Sequence, residues 1–231
     1  MITFNCLLPH VAEKMPIIPA HQVDFEWVAK AKEIYATEQP PKEVTKCPGI
    51  FSLLSTGWIH RTYMDITVET NGDYSTFNTW TEEDQFRATP AGNFLGEYVS
   101  FHGDHQFKFK DFPANTMRTL LKIQSPWFVD IPKGYSLLMM PIPYHDDVRF
   151  TPALGLLKGK NFLNVQMYWH CLKGKQFIKA GTPISQMVLI KDTSTAHTIN
   201  VVDDVQKFLS ENYYQYDQMY DENGFRRPKQ I

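Results

Sequence analysis

The chain has 231 residues, of which 43% are hydrophobic, 21% charged and 14% aromatic, with a formal charge of −2; this composition supplies a packed core and excludes bulk disorder. Its 25 acidic and 23 basic residues are interspersed, so no basic stripe forms and no nucleic-acid surface is expected. Cys6, Cys47 and Cys171 are odd in number and far apart, which fits neither a disulfide framework nor a paired-cysteine zinc site, and reduced thiols are expected.

Residues 1–10 carry no basic leader and no long apolar run, and they read as an edge strand rather than a signal peptide. Residues 23–38 place Phe25, Trp27, Val28, Ala31, Ile34 and Tyr35 at helical spacing before the stop Gln39-Pro40-Pro41, which predicts an N-terminal helix. Cys47-Pro48-Gly49 signals a turn, and residues 50–54 suit one short helical turn before Gly57. From Trp58 to Thr70 the chain is rich in β-branched and aromatic residues, and Asn71-Gly72-Asp73 predicts a hairpin returning through residues 74–80. Further strands are expected at 106–110, 120–124, 127–131, 135–141, 164–171, 176–178 and 184–190. Such close spacing favours a sandwich, jelly roll or closed β arrangement over βαβ units. Asp203 or Asp204 would cap a C-terminal helix whose stripe is Val205, Phe208, Leu209, Tyr213, Tyr216 and Tyr220. The expected organisation is one domain over 1–222, with residues 223–231 as an arm. No segment reaches the roughly 20 apolar residues of a membrane span, so no membrane contact is expected.

Two constellations carry possible chemistry. Phe101-His102-Gly103-Asp104-His105 contains a His-x-Asp pair, and two such side chains on one strand face suit a single Fe(II) ion. A third ligand would come from His145, His170 or His197, with Lys173, Lys175 or Lys179 taking a co-substrate carboxylate, as in a 2-oxoglutarate oxygenase. The bland alternative makes Gly103-Asp104 a turn. The second group is His145, Asp146, Asp147 and Arg149, which brings acid, base and cation within five positions and suits a divalent ion or acid–base catalysis. Against it, Pro141, Pro143 and Pro152 flank what would be an ordinary solvated loop. His170 and Cys171 are neighbours, so on a strand they face opposite ways and cannot easily share a proton. Glu82-Glu83-Asp84 reads as a solvated run, and the phosphate-cradling glycine motifs are missing from the sequence.

The string Ser125-Pro126-Trp127-Phe128-Val129-Asp130-Ile131-Pro132-Lys133-Gly134-Tyr135-Ser136, with Gly155-Leu156-Leu157 and Phe177-Ile178-Lys179-Ala180-Gly181-Thr182-Pro183-Ile184-Ser185-Gln186, resembles an uncharacterised family of phage and bacterial proteins. It also resembles, more weakly, the β-clip fold of dUTPases and dCTP deaminases, through a Pro-Lys-Gly-Tyr turn, a Gly-initiated central hairpin and a final Gly-x-x-Ile-x-Gln strand. In that strand Gly181 would supply a positive-φ turn, Pro183 would stiffen the entry, and Ile184, Met187 and Leu189 would enter the core. Those enzymes need an aspartate after the central Gly-[LV]-Ile, whereas here Lys158-Gly159-Lys160 follows, and their Arg-Ser-Ser phosphate motif is replaced by Pro141-Ile142-Pro143-Tyr144-His145. The resemblance therefore implies a mainly β fold, β-clip, sandwich or jelly-roll-like, without the activity.

The expected function is a non-enzymatic, phage-related binding or virion structural protein, located in a host cytoplasm or a virion, with a protein partner or self-assembly and no cofactor. The alternatives are a diverged nucleotide-handling enzyme of the dUTPase-like fold, or an Fe(II) oxygenase using His102 and Asp104.

Overall fold

A computed structural model describes residues 1–38, 47–81, 97–102, 104–107, 111–145 and 147–192. Of these, Met1–Val23 and Ser55–Asp192 make one compact unit and Asp24–Leu54 belongs to a second. The expected C-terminal helix and the arm at 223–231 lie outside the described residues.

The first unit opens with β1 (Thr3–Cys6), α1 (Pro9–Lys14) and β2 (Ile18–Pro19). Pro9 starts α1, where its missing N–H costs nothing, and Val11 is buried. The second unit holds α2 (Glu26–Glu38), within the stretch read as helical from its spacing, and most of α3 (Pro48–Ser55), longer than the single turn expected there. The first unit then resumes with β3 (Trp58–Arg61), β4 (Ile66–Asn71), β5 (Phe77–Thr81), β6 (Val99–Phe101), β7 (Leu121–Ile123), β8 (Trp127–Asp130) and β9 (Tyr135–Met140). It continues through β10 (Phe150–Pro152), β11 (Gly155–Leu157), β12 (Lys160–Phe162), β13 (Val165–Trp169), β14 (Lys173–Ile178) and β15 (Pro183–Lys191).

Among the described residues the protein is mainly β. Its strands form four antiparallel sheets, ordered β1-β8-β12, β10-β13-β7-β6, β11-β9-β15-β3-β2 and β14-β4-β5. Alternation does the folding work: Leu121 and Ile123 on β7, and Val165, Met167 and Trp169 on β13, turn inward while their neighbours do not. Trp169 is fully buried, stacked on Phe150 at 6.5 Å and edge-on to Phe77 at 6.4 Å. In β15, which lies between β9 and β3, four successive residues from Ile184 to Met187 are buried, as in a strand covered on both faces. Its pairing with β3 shifts register between Pro183 and Ser185.

Several expectations need correction. The run from Trp58 to Thr70 is two strands in two sheets, because β3 pairs with β15 and β4 pairs with β14. At the corner between them, the Thr62 hydroxyl donates to the Lys179 carbonyl at 2.9 Å and the Ala180 N–H donates to the Asp65 carboxylate at 2.7 Å. Both ribbons thus change sheet together, and the turn opposite is closed by Gly181 at φ +87°. The 71–73 hairpin is present, with Gly72 at φ +90°. Its return strand starts at Phe77 rather than Tyr74, since the Asp73 carboxylate accepts the N–H groups of Ser75 and Thr76 and prolongs the loop. Of the strand expected at 106–110, residues 108–110 lie outside the described residues, and Gln106 ends a tight helical turn, Asp104–Gln106. The central hairpin implied at Gly155–Lys160 is not one: β11 pairs with β9, while β12, beyond Gly159, pairs with β8.

Candidate functional site

The second sequence constellation and one histidine of the first meet at β10 and β13. β10 pairs antiparallel with β13, Phe150 opposite Trp169 and Thr151 opposite Tyr168. Buried Phe150 and Pro152 leave Thr151 on the outward face. One residue beyond β13, the His170 N–H donates to the Arg149 carbonyl at 2.9 Å. This puts the His170 ring diagonally beside Thr151, the cross-strand geometry in which longer side chains meet.

Both ring nitrogens of His170 are engaged. Nε2 lies 2.8 Å from the Thr151 hydroxyl, and Nδ1 lies 3.3 Å from the hydroxyl of buried Thr116. Burial lowers the His170 pKa below its ordinary value, so the ring is neutral at pH 7 and one nitrogen must accept. The result is a hydroxyl–imidazole–hydroxyl chain through which a proton can pass, with its Thr151 end on a cleft of about 150 Å³ that His145, Asp147 and Ile142 also line.

In that cleft, acid and base neutralise each other. Asp147 Oδ1 accepts the backbone N–H and Nε–H of Arg149, each at 2.9 Å, and Oδ2 takes Nη2 at 2.5 Å. Burial acts to raise the Asp147 carboxyl, but the hydrogen bonds and charge of Arg149 outweigh it and hold the group below its ordinary value. Arg149 is raised in return, chiefly by its hydrogen bonds to Asp147. The remaining guanidinium nitrogen donates to the Phe177 carbonyl. Such a bidentate pair is a structural clamp on the turn into β10, with neither partner available as a general acid or base near neutral pH. Asp146 lies outside the described residues.

The proposed iron ligands are distributed as follows. His102 follows β6, at the far edge of the sheet from β10; its Nδ1 meets the Gln106 side chain, its ring stands edge-on to Phe107 at 5.5 Å, and its Nε2 has no partner among the described residues. Asp104 lies in the helical turn after it, with its side chain outside the description, as is the whole of His197. Among the described residues no three His, Cys, Asp or Glu side chains group as a metal site. Of the lysines assigned to a co-substrate, Lys175 lies over the Trp80 ring at 5.1 Å. Lys158 pairs with Asp192 at 3.2 Å. Cys6, Cys47 and Cys171 are free, and burial raises the Cys171 thiol.

Sequence reasoning missed a second polar group, inside the core. His60 on β3 is buried, its Nε2 is 3.2 Å from the Ser125 hydroxyl, and that hydroxyl accepts the Trp127 N–H at 3.1 Å. Ser185, opposite His60 across the β3–β15 pair, is buried as well. Burial pushes His60 down to about 4. Nothing in the string Ile59-His60-Arg61 distinguishes this histidine from an exposed one. Thr151 and Thr116 were equally unmarked.

No family model matches the chain, and no curated protein matches it. No helix among the described residues is long and apolar enough to cross a membrane.

Proposed function

We propose that this chain is a non-enzymatic binding or structural protein, phage-related, that works through protein contacts or self-assembly. One observation carries the reading. Between β9 and the end of β11 the protein exposes a succession of large apolar side chains: Tyr144 at 50%, Val148 at 83%, Leu154 at 73% and Leu156 at 56% exposure. β11 is also the outer strand of its five-stranded sheet. An apolar rim beside an open strand edge is what a docking strand or a second subunit covers. The clamped Asp147–Arg149 pair supports the non-enzymatic part, and the likeness of residues 125–136 and 177–186 to phage and bacterial proteins supports the phage-related part. We read the core as β-clip- or sandwich-like, on the strength of the two ribbons that change sheet together.

The test is light scattering across a concentration series, with hydrogen exchange followed at residues 154–157. The wild-type chain should self-associate and protect that edge, and Leu154→Ser with Leu156→Ser should leave a folded monomer. A chain that stays monomeric with an unprotected β11 at every concentration refutes self-assembly through this edge.

A second reading, a diverged nucleotide-handling hydrolase, is favoured by the Thr151 hydroxyl held 2.8 Å from His170 Nε2 at the rim of a cleft. It requires nucleoside triphosphate turnover that survives purification and disappears in His170→Gln.

A further inference from the structure

The 111–118 loop and the tip of the β4–β5 hairpin build a second concavity, on the Thr116 side of His170. It has a volume of about 400 Å³ and is lined by Tyr74, Asp111, Phe112, Asn115, Thr116 and Arg118 among others. Two residues with backbone in the left-handed region shape it, Tyr74 at φ +65° and Asn115 at φ +59°. Bulky Tyr74 is rare in that region, and its conformation persists because the surroundings fix it. Here the Tyr74 carbonyl accepts the Arg118 N–H at 2.6 Å, which ties the hairpin tip to the loop and brings the two side chains together.

The Arg118 guanidinium sits 5.6 Å from the centroid of the Tyr74 ring. Arg118 is exposed and makes no ion pair among the described residues, although Asp111 lines the same bowl. Attraction to a ring face tethers a guanidinium without consuming its N–H donors, and its planar fork takes an oxyanion bidentately. Asn115 and Asp111 are likewise exposed and uncommitted among the described residues, which adds an amide and a carboxylate acceptor to the same wall. An anion alone would be repelled by Asp111; a ligand that also carries hydroxyl groups turns that carboxylate into an acceptor.

We propose that this bowl binds a hydroxyl-rich oxyanion, a sugar ring bearing a phosphate or a carboxylate. The anionic group lies on Arg118, and the ring hydroxyls face Asp111 and Asn115. This goes beyond the protein-contact reading above and does not depend on it, since the bowl uses none of the β9–β11 residues.

The experiment is titration calorimetry of the full chain with glucose 6-phosphate and with glucuronate, against glucose and inorganic phosphate as partial ligands. At least one of the two sugar anions should bind, and which one distinguishes phosphate from carboxylate recognition. Arg118→Lys, which keeps the charge but loses the planar fork, and Asp111→Asn, which removes a charged acceptor for the ring hydroxyls, should each weaken binding by about tenfold or more. Each variant is first matched to the wild type in melting temperature. The proposal is overturned if neither sugar anion binds at millimolar concentration, if inorganic phosphate binds as tightly as the sugar phosphate, or if both variants bind like the wild type.

Discussion

Acidification should weaken this protein most through His60. Its ring is 2% exposed and is held near a pKa of 4 by burial, against 6.5 for an ordinary histidine. The sign follows from which state binds the proton. Below pH 6.5 the unfolded chain protonates His60 while the folded protein does not, so the contribution is complete above about pH 7 and is lost as pH falls towards 4. Below that it levels off. A gap of this size corresponds to about 3 kcal/mol in total, of which about 2 kcal/mol is gone by pH 5. That is a sizeable share of a stability of ~5–15 kcal/mol. Urea unfolding of the wild type and of His60→Gln between pH 7.5 and 4.5 measures it, because the variant keeps a polar side chain, does not titrate there, and cancels the carboxylates common to both. The difference between the two curves should shrink by about 2 kcal/mol between pH 7.5 and 5. Curves that run parallel through this range would show that burial does not hold His60 neutral.

Other outcomes follow from the same structure. Gly57→Ala should be among the most damaging single changes, since Gly57 has φ +78° and a Cβ there would sit 1.9 Å from the Met187 carbonyl oxygen. Thermal or urea unfolding should report a loss of roughly 2–5 kcal/mol or a chain that does not fold. No stoichiometric iron is expected in purified protein, because both nitrogens of His170 are already engaged by threonine hydroxyls; metal analysis that finds iron and loses it in His102→Ala contradicts this. No dUTP hydrolysis is expected either, since the Asp147 carboxylate is tied up by Arg149 and Asp192 is paired with Lys158. An assay for dUMP and pyrophosphate decides the point.

The parts of the fold that were legible in the sequence are those whose cause is local. Asn71-Gly72-Asp73 announces its hairpin because Gly72 alone accepts φ +90° without cost, and the Asn71 and Asp73 side chains cap the turn themselves. The inward turn of Ile184 and Met187 was likewise readable from the apolar run. What was hidden has distant causes. No glycine or proline marks the break between β3 and β4; it is set by Lys179 and Ala180, residues that only tertiary structure brings near. Strands β6, β10, β11 and β12 have three residues each, too short for a period of two to register. At the site, the proximity of His145, Asp147 and Arg149 was visible, but their mutual neutralisation depends on how the turn is folded. The pairing of His170 with Thr151 and Thr116 was invisible, since an unremarkable threonine acquires meaning only from the strand opposite.

The joint corner at Thr62 and Lys179 also sets a timetable for biosynthesis. Its two sides are 117 residues apart in the chain. At the usual ~5–20 residues per second, the β3–β4 ribbon leaves the ribosome some ~6–23 s before the strands that complete it. During that interval β3 has only β2 and β4 only β5 beside it, and the edge of each that β15 and β14 will cover stays open. The corner therefore cannot close until Lys179 and Ala180 have been made.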